Sequence, residues 1–229
     1  MLIRDLIGLF FPRTCCICGA PLVGGEQEIC VGCLMDMPLA RGAKRDTNFV
    51  EKRLMGRIPV VAVTALLIFS HKNKSQTILH QIKYYGNERL ALIMGRQLGQ
   101  LLANDSRFND VDLIIPVPLH PRKERRRGYN QSLLLCKGIT ENFPRPILED
   151  ALKRQRHTKS QTRKSRQQRL ENMKDVFIVQ NPDAIENKHV LLIDDVITTG
   201  ATTEACCQAL LAAANLRISV AALAVAGDN

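Results

Sequence analysis

Short unbroken apolar runs alternate with longer stretches of helical spacing along this chain. Residues 60–69 read Val-Val-Ala-Val-Thr-Ala-Leu-Leu-Ile-Phe, 190–193 read Val-Leu-Leu-Ile, and 219–225 read Ser-Val-Ala-Ala-Leu-Ala-Val. Runs of this length without polar alternation predict strands buried on both faces, as in a parallel sheet. Residues 111–117 predict another, with Pro116 and Pro118 at its end. Apolar positions at helical spacing predict helices over 78–83, 90–102, 131–139 and 203–213. A short strand is expected at 176–179, and 147–154 is ambiguous, with room for an edge strand. Strands that alternate with helices imply an α/β fold with a mostly parallel sheet.

The pattern breaks at both flanks of this region. Residues 1–38 contain an apolar start followed by a cysteine cluster, and 39–58 are mixed and charged. The expected organisation is an N-terminal helix and cysteine module at 1–38, a linker or irregular crossover at 39–58, and the α/β domain at 59–229. No apolar run reaches the roughly 20 residues that span a bilayer. The apolar start carries Arg4 and Asp5 and leads into cysteines. It reads as a helix packed on its own protein rather than a secretory leader, so the expected compartment is cytoplasmic.

Four of the eight cysteines, Cys15, Cys18, Cys30 and Cys33, form two C-x2-C pairs. That spacing suits two knuckles closing on one tetrahedral zinc ion, and four thiolates leave no open position for chemistry. A module this small buries little core, so the metal is expected to supply folding energy. Cys136, Cys206 and Cys207 fall on apolar helices and read as buried, inert residues.

Charge is concentrated. Residues 122–169 hold 15 Lys/Arg and 4 Asp/Glu, a net of +11, whereas the whole chain is +10. Such a local excess predicts a partner rich in phosphate, either a nucleic acid or a pyrophosphate. With three Tyr, seven Phe and no Trp, base stacking cannot be the main binding device unless one of these few rings is exposed.

The most informative segment follows the strand at 190–193. Asp194 and Asp195 end it, Thr198, Thr199, Gly200, Ala201 and Thr202 form a hydroxyl-rich turn, and a helix begins. Ligands of open α/β folds bind at this edge, and a helix N-terminus there favours phosphate. The carboxylates would repel phosphate, so they should face hydroxyls, which they can accept from. A phosphorylated ribose has all these parts. This segment resembles the phosphoribosyl-pyrophosphate (PRPP) fingerprint of type I phosphoribosyltransferases. The resemblance assigns Asp194 and Asp195 to the ribose hydroxyls and the turn from Thr198 to Thr202 to the 5′-phosphate. Thr198 stands where hypoxanthine-type enzymes carry an acid, so nothing here names a purine acceptor.

The segment Val117-Pro118-Leu119-His120-Pro121-Arg122-Lys123-Glu124-Arg125-Arg126-Arg127-Gly128-Tyr129-Asn130-Gln131-Ser132, the four-cysteine module and Ile82-Lys83-Tyr84-Tyr85-Gly86 together resemble the competence-protein-F family. The resemblance implies a zinc module followed by a phosphoribosyltransferase-like domain, with some members linked to DNA uptake or use. It also implies that the loop after residue 116 cradles pyrophosphate. Arg122, Arg126 and Arg127 are its expected guanidinium donors, with a cis peptide near Leu119. His120 is expected as a structural or pyrophosphate neighbour. Asn130 is expected to cap the next helix, and Gln131 or Ser132 to donate to a ligand oxygen. The stretch 158–172 matches a flexible hood, in which Lys159, Gln161, Arg166 and Asn172 are expected contacts. Magnesium is expected to accompany PRPP. Three readings stay open: a phosphoribosyltransferase with an unknown acceptor, a PRPP or nucleotide sensor without turnover, and a factor that handles single-stranded DNA beside other DNA-uptake proteins.

Overall fold

The computed structural model describes residues 13–40, 48–52, 54, 56–71, 73–154 and 176–227. The expected N-terminal helix and the hood residues Lys159, Gln161, Arg166 and Asn172 lie outside the described residues. Four strands form one parallel sheet: β1 (Val63–Phe69), β2 (Leu113–Pro116), β5 (His189–Ile197) and β6 (Arg217–Ala226), in the order β1-β6-β5-β2. β3 (Leu152–Arg154) and β4 (Phe177–Val179) make a separate antiparallel pair. The ambiguous stretch at 147–154 divides between the two sheets, because Ile147 bridges Ile114 on the outer side of β2.

The two central strands are apolar along nearly their whole length because helices cover both faces. Leu191 and Ile193 point into one core with Ile114 and Leu223. Val190 and Leu192 point into the other with Ile115 and Val220. The first core is covered by α3 (Lys74–Tyr84), α4 (Glu88–Ala103) and α6 (Gln131–Ile139). On α4, Leu90, Met94, Leu98 and Leu102 repeat every four residues and are fully buried. That face sets the orientation of the helix, and Asn87 caps its start by accepting from Leu90 N–H. The second core is covered by α7 (Ala201–Leu210), the β3–β4 pair and the segment around α2 (Asn48–Glu51), where Val50, Leu54 and Ile58 are buried. Cys136, Cys206 and Cys207 are fully buried, as their helical positions predict.

The four-cysteine module adds α1 (Val31–Met35) and joins the first core through Cys15, Ile29, Cys33 and Met37. Residues beyond it run along β1, where Ile68 N–H donates to Pro38 and Ala40 N–H to Leu66. Polar contacts tie the module to the α3–α4 region. Lys74 lies 2.7 Å from Asp36, Gln81 donates to the Cys16 carbonyl, and Asn87 donates to Glu28.

Two expectations are corrected here. β5 does not stop at Ile193. It continues through both acids to Ile197, because β6 alongside it keeps the ladder going, with Asp194 paired to Ala222 and Ile197 to Val225. The basic stretch after β2 is not an irregular loop but a two-turn helix, α5 (Pro121–Arg127).

Candidate functional site

The site is built at the carboxyl edge of β5. After Ile197 the chain turns through exposed Thr198 and Thr199 to Gly200, whose φ of +79° is a left-handed conformation that glycine adopts without steric cost. α7 starts immediately afterwards at Ala201, whose N–H donates to the Thr199 hydroxyl at 3.4 Å. Arg57 holds this turn from outside, donating to the Thr199 carbonyl at 2.9 Å and lying 3.7 Å from Glu204.

The two acids occupy different environments because successive strand residues face opposite ways. Asp194 is 7% exposed. Its oxygens accept from Asp195 N–H at 2.8 Å and from the Thr203 hydroxyl at 3.2 Å. Burial, and then the neighbouring Asp195 charge, push its carboxyl up to about 7. Asp195 is half-buried and meets Lys83 at 2.9 Å. Lys83 reaches it from the last turn of α3 and is itself largely covered. This ion pair is the residue partnership that sequence reasoning missed. The motif Ile82-Lys83-Tyr84-Tyr85-Gly86 marked the segment but not its partner.

The same motif is pinned to the loop after β2. The Tyr129 hydroxyl donates to the Ile82 carbonyl, and the Arg127 guanidinium stands 5.4 Å from the Tyr84 ring centroid. Burial raises the Tyr129 phenol above its ordinary pKa, which keeps it a donor. Three stretches far apart in sequence therefore meet at this edge: the end of α3, the α5–α6 turn, and the Asp194–Thr202 segment.

α5 has clear helix signals despite lacking an apolar face. His120 caps it by accepting from Arg122 N–H at 3.1 Å, Pro121 opens its first turn, and Gly128 closes it at φ +85°. This leaves Arg122 and Arg126 exposed and Arg127 partly covered. His120 is thus a helix cap. Asn130 caps α6 by accepting from Ser132 N–H, as expected. Gln131 does not face the ligand edge: it is 1% exposed, and its side chain accepts from Arg127 at 2.7 Å. It positions Arg127 instead, because its helix turns it into the core side of α6. Near Leu119 the expected cis peptide is absent, and every peptide bond among the described residues is trans. Two prolines already turn the chain there, and Leu119 lines a cleft of about 440 Å³ with Pro118, Glu124 and Arg154.

The sulfur atoms of Cys15, Cys18, Cys30 and Cys33 all lie within 4.8 Å of one another. Cys18 and Cys30 are 3.7 Å apart, close to the ~3.8 Å edge of a tetrahedron with 2.3 Å zinc–sulfur bonds. Cys30 N–H donates to Cys15 Sγ and Cys33 N–H to Cys30 Sγ. Cys16 stays out of the cluster, with burial, then the Cys15 charge, pushing its thiol up to about 12. Among the described residues this is the only group of three or more metal-ligating side chains.

Residues 133–229 match the phosphoribosyl transferase domain. Competence protein F of Haemophilus influenzae is 31% identical over 202 residues, covering 84% of this chain and 88% of that protein. The chain belongs to the competence-protein-F family. DNA utilization protein YhgH of Escherichia coli O157:H7 is 28% identical over 218 residues, covering 89% of this chain and 92% of the relative. Competence protein ComFC of Bacillus subtilis is 30% identical over 99 residues, covering 43% of this chain and 38% of the relative. Among solved structures, a glutamine PRPP amidotransferase from B. subtilis aligns with a TM-score of 0.42 at 18% identity, covering 62% of this chain and 30% of that one. This chain thus combines a phosphoribosyl transferase domain, built on a parallel sheet flanked by helices, with a four-cysteine cluster before it. No described helix is long and apolar enough to cross a membrane.

Proposed function

We propose that the carboxyl edge of β5 binds PRPP and that the chain transfers its phosphoribosyl group to an acceptor nucleophile. The observation that carries this reading is the continuous run of an acid pair, a hydroxyl turn and the start of α7 at one sheet edge. Thr198–Thr202 would hold the 5′-phosphate with hydroxyls and α7 N–H groups. Asp195 and, once ionised, Asp194 would accept from the ribose hydroxyls. Lys83 offsets the Asp195 charge, so a polyphosphate can approach two carboxylates without uncompensated repulsion. In the transfer, the nucleophile forms a bond to C1′ as the C1′–oxygen bond to pyrophosphate breaks, and the electron pair leaves with pyrophosphate. Arg122, Arg126 and Arg127 would stabilise that departing charge. Magnesium, when bound with PRPP, would neutralise pyrophosphate oxygens. The four cysteines fit a structural zinc.

Isothermal titration of PRPP with magnesium tests the site. Replacing Asp194 and Asp195 together by Asn should weaken binding at least tenfold, since bonds to charged groups are each worth about 1.5–3 kcal/mol. Equal affinity in the double variant would refute the assignment. Turnover is tested separately, by pyrophosphate release against a panel of nucleobases and amines. A second reading, a role in handling single-stranded DNA, is supported by the names of the DNA-utilization and competence relatives and by the basic α5.

A further inference from the structure

The exposed aromatic rings at the end of α3 are left unused by the PRPP reading. Two of the three tyrosines in the chain are exposed, at consecutive positions on the end of α3. Tyr84 is 59% and Tyr85 69% exposed. They are not isolated rings. His80, one turn earlier on the same helix, lies 4.7 Å from Tyr84 and 5.4 Å from Tyr85, centroid to centroid. Arg127 approaches Tyr84 from α5, the helix that also carries Arg122, Lys123, Arg125 and Arg126 at the surface. On the other side, His80 and Tyr85 border a cleft of about 630 Å³ between α3 and the four-cysteine module. Lys74, Gln76 and Gln81 supply polar groups there.

An aromatic ring left in water forgoes the favourable free energy that burying its apolar surface would release. Here three are grouped with a guanidinium, beside a helix whose charge is almost entirely positive. A purely apolar partner would leave these cations and the polar cleft uncompensated. A duplex would offer phosphates but no free base faces. An unpaired polynucleotide offers both, with its phosphates facing the basic helix and its bases facing the rings.

We propose that His80, Tyr84 and Tyr85, flanked by Arg127, form a stacking platform for the bases of single-stranded DNA, with the backbone running between α5 and the cleft beside the four-cysteine module. This rests on the nucleic-acid reading above and adds to it a surface distinct from the acid pair. Lys83 joins the two, since its neighbours carry the platform while its own ammonium faces Asp195.

Binding of oligothymidylate and of an oligonucleotide carrying 2-aminopurine is measured by anisotropy and by fluorescence quenching, across a salt series. PRPP affinity is measured on each variant. Tyr84→Ala and Tyr85→Ala should each weaken oligonucleotide binding about tenfold and reduce quenching, while the slope against salt stays unchanged because no phosphate contact is lost. Tyr84→Phe and Tyr85→Phe should bind nearly as wild type. Arg125→Gln with Arg126→Gln should lower the salt slope instead. PRPP affinity should be unchanged in Tyr85→Ala. If wild type binds single strands but both alanine variants bind and quench equally well, the platform is wrong and the nucleic-acid reading survives. If wild type binds no single strands at low salt, both fail. Duplex binding as tight as single-strand binding would overturn the platform. Capture of a protein partner dependent on these tyrosines, without oligonucleotide binding, would also overturn it.

Discussion

Lys83 shows how one side chain changes the chemistry of an acid pair. Two adjacent carboxylates form a poor entrance for a ligand carrying several phosphates. An ammonium 2.9 Å from Asp195 removes one of those charges locally, in a setting where both groups are mostly shielded from water. Lys83→Gln should therefore weaken PRPP binding about tenfold, with a steeper requirement for magnesium. Titrations at several magnesium concentrations check this, and magnesium-independent, wild-type affinity would contradict it. Asp194 yields a separate pH prediction. Its folded pKa, about 7, lies above its ordinary value of 3.8. The folded state thus holds the proton more tightly, so the stability from this group is present below about pH 4 and is lost as pH rises toward 7. Asp194→Asn cannot ionise and should flatten that fall in the ligand-free protein. Melting temperatures from pH 4 to 8 provide the measurement, and parallel curves for the two proteins would show that Asp194 does not titrate in this range.

Among the elements, the close approach of α4 and α6 depends on residues with no side chain. A Cβ on Gly95 would strike the Leu135 carbonyl, one on Gly138 the Leu92 carbonyl, and one on Gly99 would come within 2.5 Å of the Ile139 carbonyl. These obstacles are backbone atoms, so the helices must separate to admit a methyl group. Gly138→Ala should cost about 1–3 kcal/mol, less the few tenths to 1 kcal/mol that alanine gains in helix propensity. Urea unfolding checks it, and a variant of wild-type stability would mean that the helices part easily. The sequence made this layer of structure visible only in part. Central strands and α4 stood out because burial on both faces, or along one stripe, leaves a periodic apolar record. α5 did not, since seven largely charged residues carry no such record. Only its terminal signals, Pro121 and Gly128, marked it. The acid pair and hydroxyl turn were legible because they are contiguous. The Lys83–Asp195 and Tyr129–Ile82 contacts were not, because residues remote in sequence meet only through the packing of α3 and α6 against the sheet. Gln131 looked available for a ligand by the same limitation: a motif gives its neighbours in sequence but not which way its helix turns it.

At the scale of the whole molecule, the cysteine cluster and the α/β domain share one core, and this fixes what metal removal should do. Cys15, Ile29, Cys33 and Met37 pack with Ile78, Leu79 and Ile82 of α3. A module of so few residues has little apolar area of its own, so without the metal's bonds to the four sulfurs the knuckles would open. The damage should then spread along α3, whose outer side loses the contacts of Lys74 with Asp36 and of Gln81 with the Cys16 carbonyl. It should diminish within β5, which is held between β6 and β2. The purified protein should contain one zinc per chain. A strong chelator, or Cys30→Ser, should lower the melting temperature by several degrees, more than an exposed Ser substitution elsewhere. Oligonucleotide binding should fall before PRPP binding does, because His80, Tyr84 and Tyr85 all sit at the helix that the module braces, whereas of the PRPP groups only Lys83 does and the turn from Thr198 to Thr202 does not. Elemental analysis, melting curves and the two titrations on the same chelated sample decide the matter. Zinc-free protein of unchanged stability would remove the metal's structural role. Loss of PRPP binding ahead of DNA binding would show that the module supports the sheet edge more directly than its contacts along α3 indicate.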